Sequence, residues 1–283
     1  MAQEKWLIEQ GPKTIDVGSI RTLKVGLIGG RIDVIGHDEP GARVEIHSMS
    51  GKDLKVSIDG DTLEIDHAQF RWDSIIESFS RFTGKASAEV SVHVPRDVAL
   101  KLGVITASGL IAGLTTDATI NTVSGDLVLD GLTGSMTLNS VSGELAVRDH
   151  TGRITAQTVG GDVTVDGEIE RFSAHTVGGD VVADLRGAPD ELRVNTVGGN
   201  VTVRLPAGLP VQYKISTAAG RVHLDDTSYG GVRGQFTARH GLLDQHWLDF
   251  RANTVGGDIT AMHRAADAAP ADEATTAEPA VQP

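Results

Sequence analysis

Apolar and polar residues alternate along short segments of the chain, and a six-residue motif returns between those segments. The motif is NTVSGD at residues 121–126, and it recurs as NSVSGE at 139–144, QTVGGD at 157–162, HTVGGD at 175–180, NTVGGN at 195–200 and NTVGGD at 253–258. The first five copies follow one another at nearly equal intervals, and a degenerate copy, STAAGR, stands at 216–221. A repeat at a nearly fixed period is typical of stacked structural units.

Each unit contains two segments of alternating residues, separated by glycine turns. Residues 162–166 read DVTVD after one motif, and residues 153–158 read RITAQT before the next. Alternation with Val, Ile and Thr between glycines predicts two short strands per unit, with no room for a helix between them. The sequence therefore predicts an all-β fold, a parallel β-solenoid with two short strands per coil of about 18 residues.

Equivalent positions in the stacked units predict three inward columns of apolar side chains. The first column is Leu127, Leu145, Val163, Val181, Val201, Val222 and Ile259. The second is Met136, Ile154, Phe172, Leu192, Tyr213 and Phe250, and the third is Leu138, Ala156, Ala174, Val194, Ile215 and Ala252. The motif valines, such as Val159, depart from this alternation, which predicts a corner where their side chains point inward again. The glycine after the corner suits a turn with positive φ.

The chain is predicted to divide into three segments. Residues 1–100 form an irregular N-terminal β region, for which a small sandwich and the first coils of the solenoid both stay open. Residues 101–263 form the repeat domain, and residues 264–283 form a disordered acidic tail rich in Ala, Pro, Glu and Thr. Stacked coils need caps at both ends, and Trp247, Leu248 and Phe250 are the predicted C-terminal cap. Residues 225–245 are either an unrecognised coil or an inserted loop.

Charge and composition exclude several classes of function. Of the 283 residues 34 are glycine and none is cysteine, so disulfides, thiolate metal sites and cysteine nucleophiles are excluded. The net charge of −13 would repel a phosphate backbone, so no nucleic-acid binding is predicted. The first residues hold no apolar stretch of signal-peptide length and no later run could span a bilayer. A cytoplasmic location is the expectation, with peripheral membrane contact left open.

Several sequences outside the exact repeat also match a known family. The runs VSVHVP at 90–95, LKL at 100–102 and TASG at 106–109, followed by the serial Thr-Val-Ser/Gly-Gly-Asp motifs, resemble the bacterial "putative adhesin" domain family of unknown function. The resemblance extends from about Ile15 to Met262. It implies an all-β repeat fold without known catalytic residues, a surface-binding role, and a link to the cell envelope or to envelope stress.

Two polar columns are candidate sites. Asp126, Glu144, Asp162 and Asp180 occupy one position in four units, where a parallel stack would place them ~4.8 Å apart. Such clustered oxygens suit Ca²⁺, but ordinary turn chemistry is the preferred interpretation. A second column, made of Asn121, Asn139, Gln157, His175, Asn195 and Asn253, predicts a hydrogen-bonded ladder that keeps the coils in register. A ligand-facing strip is the alternative.

The segment from Phe70 to Phe82 differs from its surroundings because it is aromatic and has helical spacing. Its apolar positions are Phe70, Trp72, Ile75, Ile76, Phe79 and Phe82. The pattern predicts a short amphipathic helix. Packing over the solenoid end is the preferred interpretation, and an exposed patch for a membrane surface or a partner is the alternative.

The chain also lacks sequence motifs that indicate an enzyme. There is no Gly-x-Ser-x-Gly elbow, P-loop, His-Glu-x-x-His or Gly-x-Gly-x-x-Gly sequence, and no cofactor is predicted. The predicted function is a non-enzymatic scaffold or interaction protein that binds a protein partner or associates with itself. A self-assembling, bactofilin-like solenoid filament is the second hypothesis, and a carbohydrate-active β-helix protein is the third. Covered ends would favour the first hypothesis over the second.

Overall fold

The computed structural model describes residues 4–8, 11–67, 86–230 and 233–265. Every helix or strand in these ranges is a β-strand, so the predicted all-β class is confirmed. None of these residues belongs to a helix that could span a membrane. The predicted helix at 70–82 lies outside the described residues, as does the predicted tail except for its first two residues.

The N-terminal strands combine parallel and antiparallel pairing. They are β1 (Glu4–Ile8), β2 (Lys13–Val17), β3 (Thr22–His37), β4 (Ala42–Ser50), β5 (Leu54–Asp59), β6 (Thr62–His67), β7 (Ser87–Pro95) and β8 (Ala99–Ala112). The long strand β3 runs parallel to β8 from the pair Thr22–Ala99 to the pair Ile35–Ala112. On its other side it runs parallel to β6 and β7. Antiparallel strands then follow in the orders β6-β5-β1 and β7-β4-β2.

The central repeats form two rows of parallel strands. Their strands are β9 (Ala118–Thr122), β10 (Leu127–Asp130), β11 (Thr133–Ser140), β12 (Leu145–Thr158), β13 (Val163–His175), β14 (Val181–Leu185), β15 (Glu191–Asn195) and β16 (Val201–Leu205). The post-motif row contains β8, β10, β12, β13, β14 and β16, and the pre-motif row contains β8, β9, β11, β12, β13 and β15. The long strands β8, β12 and β13 take part in both rows.

The C-terminal strands leave the order of the sequence. They are β17 (Val211–Thr217), β18 (Val222–Leu224), β19 (Thr227–Tyr229), β20 (Gly234–His240), β21 (Leu248–Thr254) and β22 (Ile259–His263). Strand β21 lies between β15 and β17, and β22 lies between β16 and β18. The last unit in sequence is therefore inserted beneath the degenerate unit, whose outer edges are covered by the antiparallel strands β20 and β19.

The three apolar columns predicted to point inward are buried. Leu127, Val163 and Ile259 are at most 1% exposed, and Phe172 and Phe250 are equally inaccessible. Pairing in register places Val163 between Leu145 and Val181, as the regular spacing of the repeats requires.

One apolar cluster continues from Ile8 to Ala261, through both the irregular N-terminal strands and the repeats. The division of the chain at residue 100 stays a prediction.

The prediction that the motif valines point inward is wrong for most units. Val159, Val177, Val197 and Val255 are each about half exposed, whereas the first motif valine, Val123, is buried. The preceding threonine is buried instead. In the unit at 175–180 the Thr176 Oγ1 accepts the N–H of Gly179 at 3.1 Å, and the same contact recurs in four other units. The buried hydroxyl satisfies the turn backbone, so the threonine needs no polar partner elsewhere.

The second glycine of the motif is required by the stacking of the units. A Cβ at Gly179 would lie 2.1 Å from the carbonyl oxygen of Gly161, whereas at Gly178 the nearest atom would be 3.8 Å away. Positive φ, the reason expected from the sequence, applies to Gly125 and Gly143 but not to the later copies. Close approach of backbone to backbone therefore explains the glycine in most units.

The prediction of a C-terminal cap is also wrong for two of its three residues. Leu248 and Phe250 are fully buried because β21 lies inside the stack, and Phe250 meets Tyr213 edge to face with ring centroids 5.5 Å apart. Trp247 is 40% exposed just before β21. The cap is formed by the described residues of 225–245, which contain neither a further coil of parallel strands nor a plain loop but the antiparallel strands β19 and β20.

Candidate functional site

The outer face of the pre-motif row carries regular columns of polar side chains. Because alternate residues of a strand point to opposite faces, each buried column has an outward column beside it. One outward column is Thr119, Thr137, Thr155, Ser173, Arg193, Arg251 and Lys214 in stacking order, and its neighbour is Ser135, Arg153, Arg171, Glu191, Asp249 and Gln212. The face thus changes from hydroxyls in the first units to charges in the later ones.

The amide column forms most of the predicted ladder at the edge of this face. Asn139 Nδ2 donates to Asn121 Oδ1 at 2.9 Å, Asn195 Nδ2 to His175 Nδ1 at 3.2 Å, and Asn253 Nδ2 to Asn195 Oδ1 at 2.7 Å. Each of these bonds links two units that are neighbours in the stack. The amides satisfy one another, which supports the structural interpretation of this column over a ligand-facing strip.

Three arginines lie around a shallow depression of about 220 Å³ on this face, here called the arginine groove. Its lining residues are Arg153, Ile154, Thr155, Arg171, Phe172, Ser173, Glu191 and Arg193. Arg193 contacts Glu191 at 2.7 Å and Arg153 lies 3.5 Å from Glu170. Arg171 is exposed and makes no ion pair with any residue that the structure describes. The groove therefore keeps a guanidinium available to an external anion.

One unit further along the stack, opposite charges are already paired. Burial raises the pKa of Asp249, but the hydrogen bond and charge of Arg251 and the charge of Lys214 outweigh it, so the pKa is lowered overall. The hydrogen bond and charge of Asp249 raise the pKa of Arg251. In this unit the guanidinium of Arg251 is therefore already occupied by a carboxylate.

The candidate calcium ligands occupy equivalent positions in successive units, along one turn of the stack. The carboxylate of Asp126 accepts the N–H of Glu144 at 2.9 Å, and that of Asp162 accepts the N–H of Asp180 at 2.8 Å. Asp180 in turn accepts the N–H of Asn200 at 2.7 Å. The side chains bind backbone amides of the next unit, which is turn chemistry extended between units. Calcium binding by Asp126, Glu144, Asp162 and Asp180 stays a prediction.

A group of potential metal ligands that the sequence did not indicate lies at the capped end. Among the described residues, Asp225, His240 and His263 are the one group of three such side chains whose ligand atoms all lie within 4.8 Å of one another. Their separations in sequence match no known ligand spacing, and β22 meets β18 only because the strand order departs from the sequence. The predicted patch Phe70, Trp72, Ile75, Ile76, Phe79 and Phe82 lies outside the described residues.

Solved structures from several bacteria match this chain at low sequence identity. A "putative lipid binding protein" from Parabacteroides distasonis ATCC 8503 is 11% identical, with 90% of this chain and 97% of that chain covered and a TM-score of 0.47. A "putative adhesin" from Bacteroides fragilis NCTC 9343 is 13% identical, with 91% and 97% covered and a TM-score of 0.43. A "putative adhesin" from Parabacteroides merdae ATCC 43184 is 12% identical, with 92% and 96% covered and a TM-score of 0.34.

The family assignment rests on the sequence of the repeats and of the strands before them. No curated protein matches the chain. The family model described as Toastrack DUF4097 matches residues 30–262, from the middle of β3 to the end of the stack. This range includes all the repeats and all the motifs on which the resemblance rests. The chain therefore belongs to the Toastrack DUF4097 family.

Proposed function

We propose that the chain is a non-enzymatic interaction protein that binds an acidic protein segment in the arginine groove. The observation that carries the proposal is the guanidinium of Arg171, which has no ionic partner among the described residues and lines the same depression as Arg153 and Arg193. Arginine is enriched in protein interfaces and binds carboxylates through two parallel hydrogen bonds. In a chain of net charge −13 this local excess of positive charge selects where an acidic partner docks.

The complete architecture that we propose is a β-solenoid, with two strands per coil and the units pinned by the threonine and amide contacts. Both ends carry antiparallel strands, β1 and β2 at one end and β19 and β20 at the other. A covered end offers no parallel template to a second copy. These ends support an interaction protein over the bactofilin-like filament.

The composition of the groove supports a binding role over the carbohydrate-active alternative. Glycoside hydrolysis needs a pair of carboxyl groups on either side of the scissile bond. Among the lining residues Glu191 is the one carboxylate, and it is paired with Arg193. The ring of Phe172 is 1% exposed and offers no stacking surface to a sugar. The proposed setting is the cytoplasm, with a partner associated with the cell envelope.

Charge reversal in the groove tests the proposal against a matched control. The groove variant is Arg153→Glu with Arg171→Glu, and the control is Arg148→Glu with Arg204→Glu, two exposed arginines of the post-motif row. Both variants change the net charge equally. The probe is a fluorescent polyglutamate peptide, and partner capture is then compared by quantitative mass spectrometry.

We expect polyglutamate to bind the unmodified protein in a salt-dependent way and to bind the groove variant at least about tenfold more weakly. The control variant keeps the affinity, and captured proteins that depend on the groove are enriched in acidic segments. Equal loss in both variants would show a non-specific charge effect, and equal binding by all three proteins would refute the proposed site. Binding of single-stranded DNA or anionic vesicles in preference to the peptide would also overturn it.

A further inference from the structure

Three strand ends meet at the capped end of the stack and bring two histidines to one carboxylate. Asp225 follows the end of β18, His263 ends β22, and His240 ends β20. Strands β18 and β22 are parallel neighbours, so Asp225 and His263 arrive side by side. Strand β20 returns antiparallel to β17 and ends opposite Val211. The three side chains belong to the cap and to the inserted unit that the cap covers.

The ligand atoms of this cluster have the spacing of a metal coordination sphere. His263 Nδ1 lies 2.9 and 3.0 Å from the two carboxylate oxygens of Asp225, and His240 Nδ1 lies 3.5 Å from Asp225 Oδ2. Ligands held about 2.0–2.2 Å from a tetrahedral Zn²⁺ are roughly 3.3–3.5 Å from one another. The distances to Asp225 therefore need shifts of only a few tenths of an ångström to accommodate an ion, and the ligand atoms of the two histidines lie within 4.8 Å of each other.

The hydrogen bond on the far side of His263 fixes which nitrogen faces the carboxylate as an acceptor. The carbonyl oxygen of Leu209 lies 3.1 Å from His263 Nε2, and because a carbonyl only accepts, Nε2 carries the hydrogen. In the neutral ring Nδ1 then presents a lone pair to a carboxylate, which is repulsive unless a proton or a metal ion lies between them. Backbone carbonyls orient metal-binding histidines in this way.

The second histidine brings a further imidazole nitrogen to the same carboxylate. The rings of His240 and His263 are stacked, with centroids 4.0 Å apart and planes inclined by 23°. A proton on each ring would place two positive charges at about that distance, where they repel. One divalent ion bound to both Nδ1 atoms satisfies the two lone pairs and the carboxylate together.

Asp225 is held in an unusual conformation. Its carboxylate accepts the backbone N–H of His263 at 2.7 Å. Its backbone has φ of 50°, in the region that L residues other than Asn and Asp seldom adopt. The Asp225 N–H donates to the carbonyl of Ala261 at 2.8 Å, which fixes this conformation beside β22.

We propose that Asp225, His240 and His263 bind a divalent transition metal ion, of which Zn²⁺ is the test case. Imidazole and carboxylate ligands suit zinc and its neighbours, whereas Ca²⁺ and Mg²⁺ prefer all-oxygen sites. The side chain of His263 is 9% exposed and that of His240 42%, so the open coordination position faces solvent on the His240 side. The ion joins β18, β20 and β22, and thereby fastens the cap to the inserted unit.

The experiment measures Zn²⁺ binding to the full chain without an affinity tag. Isothermal titration and dialysis with metal analysis give stoichiometry and affinity, and Co²⁺ absorption reports the ligand field. The variants are His240→Gln and His263→Gln. The matched control is His246→Gln, since His246 also faces a carboxylate, Asp190, at 3.7 Å but belongs to no group of three ligands among the described residues.

We expect one Zn²⁺ per chain and a melting temperature that rises by several degrees with Zn²⁺. Both site variants bind at least about tenfold more weakly and lose the thermal shift, while His246→Gln keeps both. His240→Gln alters a half-exposed side chain, and its metal-free melting temperature verifies that it is folded. Absence of stoichiometric Zn²⁺ binding, or equal binding by the site variants and the control, would refute the site.

Discussion

The central units from β9 to β16 and the terminal units from β17 to β22 use the same motif but stack by different rules. In the centre each unit lies on the one immediately before it in sequence. At the end, β21 pairs with β15, although β16 to β20 come between them in sequence, and it separates β15 from β17. The motif therefore determines the shape of a unit, because its threonine–glycine contact recurs in five copies from both regions, but it does not determine which unit becomes the neighbour.

The degenerate copy at 216–221 shows what marks a terminal unit. It keeps Thr217 and Gly220, which close the turn, but has Arg221 where other units have an acidic residue or asparagine. Asp258 of the unit below accepts the Arg221 N–H at 2.8 Å and pairs with its guanidinium at 2.9 Å, and these contacts lower the pKa of Asp258. Among the described residues no parallel unit follows the degenerate copy. Position 221 therefore needs no carboxylate to accept a backbone N–H of a next unit, and arginine occupies it.

The largest effect is expected from a charge placed inside the central stack. Val163→Asp puts a carboxylate at a position that is 1% exposed and has apolar neighbours on both sides. We expect a loss of more than about 4 kcal/mol of unfolding free energy, because an unpaired charge is buried. Thr164→Asp, on the outward side of the same strand, changes the stability by less than about 0.5 kcal/mol. Urea unfolding measures both, and equal losses would contradict the assignment of the two faces.

Much of this fold follows from residue patterns, and the exceptions have physical causes. Alternation around Val163 and the regular spacing of the motif are enough to predict the all-β class, the strands of the repeats and the buried columns. The orientation of Val159 was missed because a corner offers two inward directions, and the buried hydroxyl of Thr158 gains a hydrogen bond there. The arginine groove lies where consecutive units meet, at positions outside the motif. The Asp225 cluster depends on the order in which the terminal units stack, which the motif does not encode.

The second prediction tests whether β21 lies inside the stack. Phe250→Ala removes a fully buried ring between Leu192 and Tyr213, and we expect a loss of about 3–4 kcal/mol. Trp247→Ala, just before β21, removes a ring that is 40% exposed and costs about 1 kcal/mol. A terminal cap formed by these residues would instead make the tryptophan variant the less stable one. Thermal and urea unfolding of the two variants distinguish the arrangements.

The third prediction compares adjacent glycines in both regions. An added Cβ would lie 2.1 Å from Gly161 O at Gly179 and 1.8 Å from Gly199 O at Gly257, but 3.8 Å from the nearest atom at Gly178 and Gly256. We expect Gly179→Ala and Gly257→Ala each to lower the unfolding free energy by about 2 kcal/mol, because the added Cβ forces units apart. Gly178→Ala and Gly256→Ala are expected to lower it much less. Loss at Gly179 without loss at Gly257 would mean that the inserted unit packs less closely than the central ones.

The smallest effect concerns the pH dependence of stability at the N-terminal end of the stack. Two neighbouring side chains of β6 there have pKa values that are shifted in opposite directions. Burial lowers the pKa of His67 to about 4, and its Nδ1 accepts the N–H of Ile28 at 3.2 Å. Burial raises the pKa of Asp66 to about 6, although the charge of Lys55 opposes it. In the unfolded chain the pKa of His67 is about 6.5 and that of Asp66 is about 3.9. Between pH 6 and pH 4, acidification therefore protonates His67 mainly in the unfolded chain and Asp66 mainly in the folded chain.

Stability contributed by neutral His67 is fully present above about pH 6.5 and is lost as the pH falls toward 4, whereas stability contributed by protonated Asp66 is lost as the pH rises through 6. We therefore expect the two contributions largely to cancel in the unmodified protein between pH 4.5 and 6. Asp66→Asn removes the contribution of protonated Asp66. Acidification over this range then lowers the unfolding free energy by about 1 kcal/mol more than in the unmodified protein. Adding His67→Gln removes that extra dependence, and urea unfolding at several pH values measures it. If Asp66→Asn leaves the pH dependence unchanged, the titration of these two groups does not govern the acid stability of this end.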